Sequence, residues 1–162
     1  MKESAALRIS AHGERELVMT RVFEVPRGRV FEALTQPDRL TRWLGVRGGW
    51  ELAVCRVDLR PGGACCFVWR RGGDGMEMGV RGVYHEIVPA ERLVYSESFD
   101  EPWYPGESVI THVLTEQGAR TMLTSTVLYE SRAARDGVLA SPMEGGVTES
   151  YDKLAALLAS AE

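Results

Sequence analysis

A chain of 162 residues with 44% hydrophobic and 26% charged side chains suits one domain built on one core. Its net charge of −4 argues against a nucleic-acid binder, which needs a basic face to displace counterions. The three cysteines, Cys55, Cys65 and Cys66, are odd in number and lack both a Cys-x-x-Cys pair and a nearby histidine cluster, so neither a disulfide framework nor a metal site is expected.

Residues 1–14 mix small, polar and charged types and read as a loose N-terminal segment, which leaves 15–162 as a single domain. No apolar leader run occurs between Met1 and Glu16, and nothing approaches the roughly 20 apolar residues of a membrane span. A cytoplasmic protein is the expectation. Glu16 to Val25, ELVMTRVFEV, reads as a first strand ended by Pro26, a residue suited to the first turn of a helix. Val30, Phe31, Leu34, Leu40, Trp43 and Leu44 then fall at helical spacings. They predict two short helices, 27–35 and 38–44, interrupted near Gln36-Pro37-Asp38.

From 52 to 130 the pattern is strand and turn, with strands predicted at 52–59, 63–71, 77–88, 91–99, 107–117 and 120–130. Short links between long strands mean antiparallel neighbours, a sheet of six or seven strands. The cluster Arg71-Gly72-Gly73-Asp74-Gly75 looks superficially like a phosphate-cradling loop. A dinucleotide loop, however, must follow a strand and open a helix so that its amides converge on phosphate. Here the cluster lies between two strands, and Asp74-Gly75 is a hairpin signal. It is read as a hairpin corner, and no cofactor is expected. A short helix at 132–140 ends at Ser141-Pro142. Beyond it Met143, Val147, Tyr151, Leu154 and Leu158 recur every three or four residues, an apolar stripe on a helix covering about 142–159.

Strand, two short helices, six antiparallel strands and a long C-terminal helix is the order of the helix-grip fold. Four segments, "RVFEALTQPDRLTRWLG", "CRVDLRPGG", "GVYHEIVPAERLVYS" and "MEGGVTESYDKLAALL", closely resemble the activator-of-heat-shock-ATPase homologue family of the START-like (SRPBCC) superfamily. The resemblance runs from about Leu17 to Leu158. It implies an α+β fold in which a curved antiparallel sheet wraps the long helix and leaves an apolar cavity between them. It does not imply one activity, because superfamily members include lipid carriers, hormone receptors and polyketide cyclases.

Strand alternation, anchored by that resemblance, turns Cys65, Phe67 and Trp69 inward. It does the same for Gly82 and Tyr84, for Leu93, Tyr95, Glu97 and Phe99, for Ile110, His112 and Leu114, and for Leu123, Ser125 and Val127. Gly82 would allow another backbone to come close. The candidate ligand-binding set is therefore Trp43, Phe67, Trp69, Tyr84, Tyr95, Glu97, His112, Leu123, Ser125, Met143, Val147 and Tyr151. Glu97, His112 and Ser125 have the residue types of a catalytic triad, but Ser125 sits inside a strand with no nucleophile elbow and no evident oxyanion hole. No catalytic residue is assigned. The loop aromatics Trp103 and Tyr104 read as a gate at the cavity mouth or as a contact in a homodimer.

The leading expectation is binding of a small hydrophobic or aromatic molecule in the internal cavity. The alternatives are a cyclase or dehydratase using the same cavity, with His112 or Tyr95 moving protons, and a protein-interaction module related to chaperone ATPase activation.

Overall fold

The computed structural model describes residues 7–47, 49–101, 104 and 106–160. The chain opens with strands β1 (Arg8–His12) and β2 (Glu16–Phe23), then helices α1 (Arg27–Thr35) and α2 (Pro37–Leu44). Seven strands follow: β3 (Val46–Arg47), β4 (Trp50–Val57), β5 (Ala64–Arg71), β6 (Glu77–Val88), β7 (Arg92–Phe99), β8 (Ser108–Gln117) and β9 (Arg120–Leu128). Helices α3 (Arg132–Ala140) and α4 (Met143–Ala159) complete it. Among the described residues the strands form one nine-stranded antiparallel sheet, in the order β1-β2-β9-β8-β7-β6-β5-β4-β3.

Two departures from the sequence reading enlarge the sheet from six or seven strands. Arg8–His12, expected within a loose segment, pairs with Glu16–Thr20. Its side chains are mostly exposed, so the strand is held by backbone pairing and shows no apolar alternation to read. The rest of the expected loose segment, up to residue 6, lies outside the described residues. The short β3 pairs with the start of β4, which begins at Trp50 rather than 52. Elsewhere the pattern holds closely. The glycine cluster turns β5 into β6, with Gly73 and Gly75 at φ 95° and 74° and the Met76 amide donating to the Asp74 carboxylate at 3.1 Å.

α1 buries Val30, Phe31, Ala33 and Leu34, the residues whose spacing announced it. Pro26 stands at its cap rather than in its first turn, where its carbonyl accepts from the Arg29 and Val30 amides. In α2, Pro37 occupies a first-turn position that needs no amide proton. The cap of α3 is Ser131, whose hydroxyl accepts from the Ala134 amide at 3.0 Å. Arg135 ties that helix to the first hairpin, donating to the Glu16 carbonyl at 2.7 Å from a nearly fully buried position.

Register shifts at Leu52/Val54 and at Tyr84/Glu86 interrupt the ladders of the β4–β6 half and increase its bend. α4 lies across the concave face. Tyr151, Leu154 and Leu158 are buried against Phe23, Val30, Leu34, Leu93, Leu114 and Leu123. A second cluster, containing Leu17, Met19, Tyr104, Ile110, Val127 and Tyr129, is covered by Ala134 and Val138 of α3. No helix among the described residues is long and apolar enough to cross a membrane.

Candidate functional site: a cavity between the sheet and the C-terminal helix

Leucines fill the space under the C-terminal half of α4, but its N-terminal half reads Met143-Glu144-Gly145-Gly146-Val147. Gly146 and Val147 are too small to cover the sheet, and a cavity of about 680 Å³ opens beneath them. β5 supplies Cys65, Phe67 and Trp69, β6 Met78, Val80 and Tyr84, and β7 Tyr95, Glu97 and Phe99. From β8 come Ser108, Ile110 and His112; α2 adds Leu40, Trp43 and Leu44, and α4 adds Met143, Gly146, Val147, Ser150 and Tyr151.

Strand register explains the clustering. Cys65 stands opposite Gly82, Gly82 opposite Glu97, and Glu97 opposite Ser108, so one row of the sheet crosses the cavity wall. Gly82 is required there, because a Cβ would collide with the Ser96 carbonyl oxygen and fall 2.9 Å from the Cys65 sulfur. Tyr84 and Tyr95 are neighbours in the next row, their rings edge to face at 5.8 Å. The Tyr84 hydroxyl also hydrogen bonds the Cys65 thiol, whose pKa burial, with Glu97 nearby, raises to about 11. That thiol is an inert wall atom at neutral pH.

A polar chain runs from the cavity into the core. The Tyr95 hydroxyl meets His112 Nε2 at 3.2 Å, His112 Nδ1 meets the Ser125 hydroxyl at 2.8 Å, and Ser125 reaches the Tyr151 hydroxyl at 3.5 Å. Burial holds the imidazole pKa down at about 4, so the ring is neutral, with one N–H and one acceptor nitrogen. If Nδ1 donates to Ser125, Nε2 accepts from Tyr95, and the Ser125 proton passes on to Tyr151. Every member is satisfied.

Glu97 differs from these groups. It faces the cavity, and no described residue donates a hydrogen bond or a salt bridge to its carboxyl. Burial raises its pKa to about 7.

Of the predicted site residues, the structure gathers Trp43, Phe67, Trp69, Tyr84, Tyr95, Glu97, His112, Met143, Val147 and Tyr151 around this one space. Leu123 and Ser125 do not line it. Both are fully buried: Leu123 in the packed core, Ser125 behind His112 as its hydrogen-bond partner. They share the inward face of β9, but Ser125 is taken up by His112 and Tyr151 and Leu123 by the packed core, a distinction alternation cannot make. Glu97 makes no bond to His112, so the three triad residue types form no triad.

Tyr104, read from the sequence as part of a gate at the cavity mouth or of a dimer contact, lies on the cavity wall. Its ring is buried, edge-on to Phe99 at 5.9 Å and to Tyr129 at 5.2 Å, and its hydroxyl meets Ser108 at 3.1 Å. Trp103 lies outside the described residues. Trp50, Met78, Tyr104 and Tyr129 line the cavity and were absent from the predicted set. Tyr129 continues the alternation of Leu123, Ser125 and Val127 and was within reach of that rule. Met19, another lining residue, belongs to the inward row of β2.

Residues 24–159 match the family described as activator of Hsp90 ATPase homolog 1-like protein. The chain belongs to this family. Among solved structures, a Rhodobacter sphaeroides protein is 32% identical and covers 95% of this chain and 98% of its own, with a TM-score of 0.88. A Nitrosomonas europaea protein is 26% identical over 92% of this chain and 97% of its own, with a TM-score of 0.77. A Chromobacterium violaceum protein is 28% identical over 89% and 96%, with a TM-score of 0.72. No curated protein matches the chain. Membership fixes the α+β helix-grip architecture, and the superfamily's range of roles is consistent with ligand binding. The choice among them rests on the site.

Proposed function

We propose that this family member binds a small hydrophobic or aromatic molecule in the cavity between its sheet and α4. The observation that carries the reading is the makeup of a 680 Å³ space: walls of Trp43, Phe67, Trp69, Tyr84, Phe99 and Val147, with only a few polar groups turned into it. That volume and that balance are typical of small-molecule sites. The two short helices and the β4–β9 meander hold the walls from outside, so the site needs no large rearrangement to exist.

Catalysis in the same cavity is the weaker reading. Both imidazole nitrogens of His112 are already engaged by hydroxyls, which leaves neither a free proton nor a free lone pair for a substrate. The interaction-module reading has no comparable support, since the large exposed apolar side chains Leu59, Met76, Val83 and Leu139 sit on different segments.

Fluorescence titration with the neutral apolar probe N-phenyl-1-naphthylamine tests binding, and native mass spectrometry of the purified protein searches for a retained molecule. Val147→Trp fills the space under the N-terminal half of α4, so probe affinity should fall at least about tenfold with the fold intact. Unchanged probe binding in Val147→Trp and in His112→Ala would place the probe elsewhere and remove the support for the cavity.

A further inference from the structure

We infer that the molecule this cavity selects is an organic cation, an amine or quaternary ammonium group carried on an apolar or aromatic body, with Glu97 as its counter-ion. The inference rests on the cavity reading above and specifies the chemistry of the ligand. Three observations on the wall converge on it.

First, among the described residues Glu97 is the acidic residue of the lining, and the lining contains neither lysine nor arginine. The buried Arg21 lies outside the cavity and is engaged by Asp152 at 2.7 Å. A half-buried carboxyl with no donor among the described residues has an unmet need that water or a ligand must fill. Three polar side chains beside it are already engaged: Tyr84 with Cys65, Tyr95 with His112, and Tyr104 with Ser108. A ligand that offers a positive charge satisfies Glu97 without breaking any of these.

Second, much of the remaining wall is aromatic and the rest of it largely aliphatic. Trp43, Phe67, Trp69, Tyr84, Tyr95 and Phe99 contribute, and the faces of such rings attract cations. Phe99 and Tyr104 adjoin the same β7 row and loop as Glu97, edge to face at 5.9 Å. Aromatic faces around a carboxylate make a poor site for an anion and a good one for an ammonium group.

Third, the groups near Glu97 on each packed element do not neutralise it. β5 presents Cys65, β6 Tyr84, β7 Tyr95, and β8 Ser108 and His112; Tyr104 and Tyr129 stand beyond. Burial holds the thiol and the tyrosines in their neutral forms and keeps His112 uncharged. α4 contributes Met143, Gly146, Val147, Ser150 and Tyr151, none of them charged at neutral pH. No described lining residue carries a positive charge, so a bound cation would supply one at the wall and favour ionised Glu97.

The test uses matched ligands that share a body and differ in one group: 1-naphthylmethylamine, 1-naphthylmethanol and 1-naphthoate, with a decyl series (decylamine, decanol, decanoate) beside them. Affinities are measured by displacement of N-phenyl-1-naphthylamine at pH 8. The amine should bind at least about tenfold tighter than the alcohol and the carboxylate weakest of the three, and Glu97→Gln should collapse the amine-to-alcohol ratio to within about twofold. A second readout needs no variant: in the unaltered protein the amine's advantage should shrink from pH 8 to pH 5.5, as Glu97 takes up a proton. An alcohol that binds as well as its amine, or an amine preference that survives Glu97→Gln, overturns the cation inference. If the alcohol is still weakened by Val147→Trp in that case, the cavity reading stands without it. Binding of no member of either series overturns both.

Discussion

The two halves of α4 lie on the same sheet and do opposite things. Towards its C-terminus Tyr151, Leu154 and Leu158 sink into leucine, valine and phenylalanine side chains from β2, α1, β7, β8 and β9. Towards its N-terminus Gly146 and Val147 face aromatic residues of β5, β6 and β7 across an open volume. Helix and sheet geometry are shared, so the difference lies in side-chain size and in the bend of the β4–β6 half. One end of the interface holds the fold together, and the other is free to hold something else.

The comparison makes a strong claim about the packed end. Leu154 is fully buried, and Leu154→Ala would leave a cavity where nothing can relax into it, costing about 2–5 kcal/mol in urea denaturation. A loss below about 1 kcal/mol would mean that the two halves are equally loose. At the cavity wall the sensitive position is a backbone one. Gly82→Ala should cost about 1–3 kcal/mol, because the added methyl meets the Ser96 carbonyl and the Cys65 sulfur rather than empty space. Val147→Trp, in contrast, should change stability by less than about 1.5 kcal/mol while abolishing probe binding. A collapse of the fold on that substitution would show the space to be smaller than it looks.

The remaining effects are those of pH, and they have opposite signs. Glu97 has a folded pKa of about 7, above its ordinary 4.5, so its contribution to stability is fully present below pH 4.5 and is lost as pH rises through 7. Glu97→Gln should therefore raise Tm at pH 8 and leave it unchanged at pH 4. His112 is held at about 4, below its ordinary 6.5, so its contribution is present above pH 6.5 and is lost as pH falls through 4. His112→Gln, which removes the titration and keeps a polar side chain, should flatten the decline in Tm across that window. A Tm profile of Glu97→Gln parallel to that of the unaltered protein at every pH would mean that Glu97 is solvated in the folded state.

Much of the fold was legible because its signals are local. The Met143–Leu158 stripe marks a helix, Asp74-Gly75 marks a hairpin, and alternation from Cys65 to Trp69 or from Leu93 to Phe99 marks an inward face. β1 escaped notice because an edge strand with exposed side chains carries no hydrophobic period. Within the site, Tyr104 misled for a related reason. Its neighbours Pro102, Pro105 and Gly106 announce a loop, and loop residues are expected outside, yet the ring folds back between Phe99 and Tyr129. Ser125 misled in the other direction: its inward orientation was right, but the side chains of His112 and Tyr151 take it up, and it does not reach the open space.

The sequence by itself determined the elements, their faces and the family, since all of these follow from spacing and residue type along short stretches of chain. Only the tertiary structure decided which inward residues meet a cavity and which meet each other. It alone set the Tyr95–His112–Ser125–Tyr151 chain apart from Glu97, left without a partner on the same wall. The physical reason is that alternation fixes a side chain's direction, whereas the space in front of it depends on the size of residues brought there by a helix some fifty positions further along the chain from Glu97.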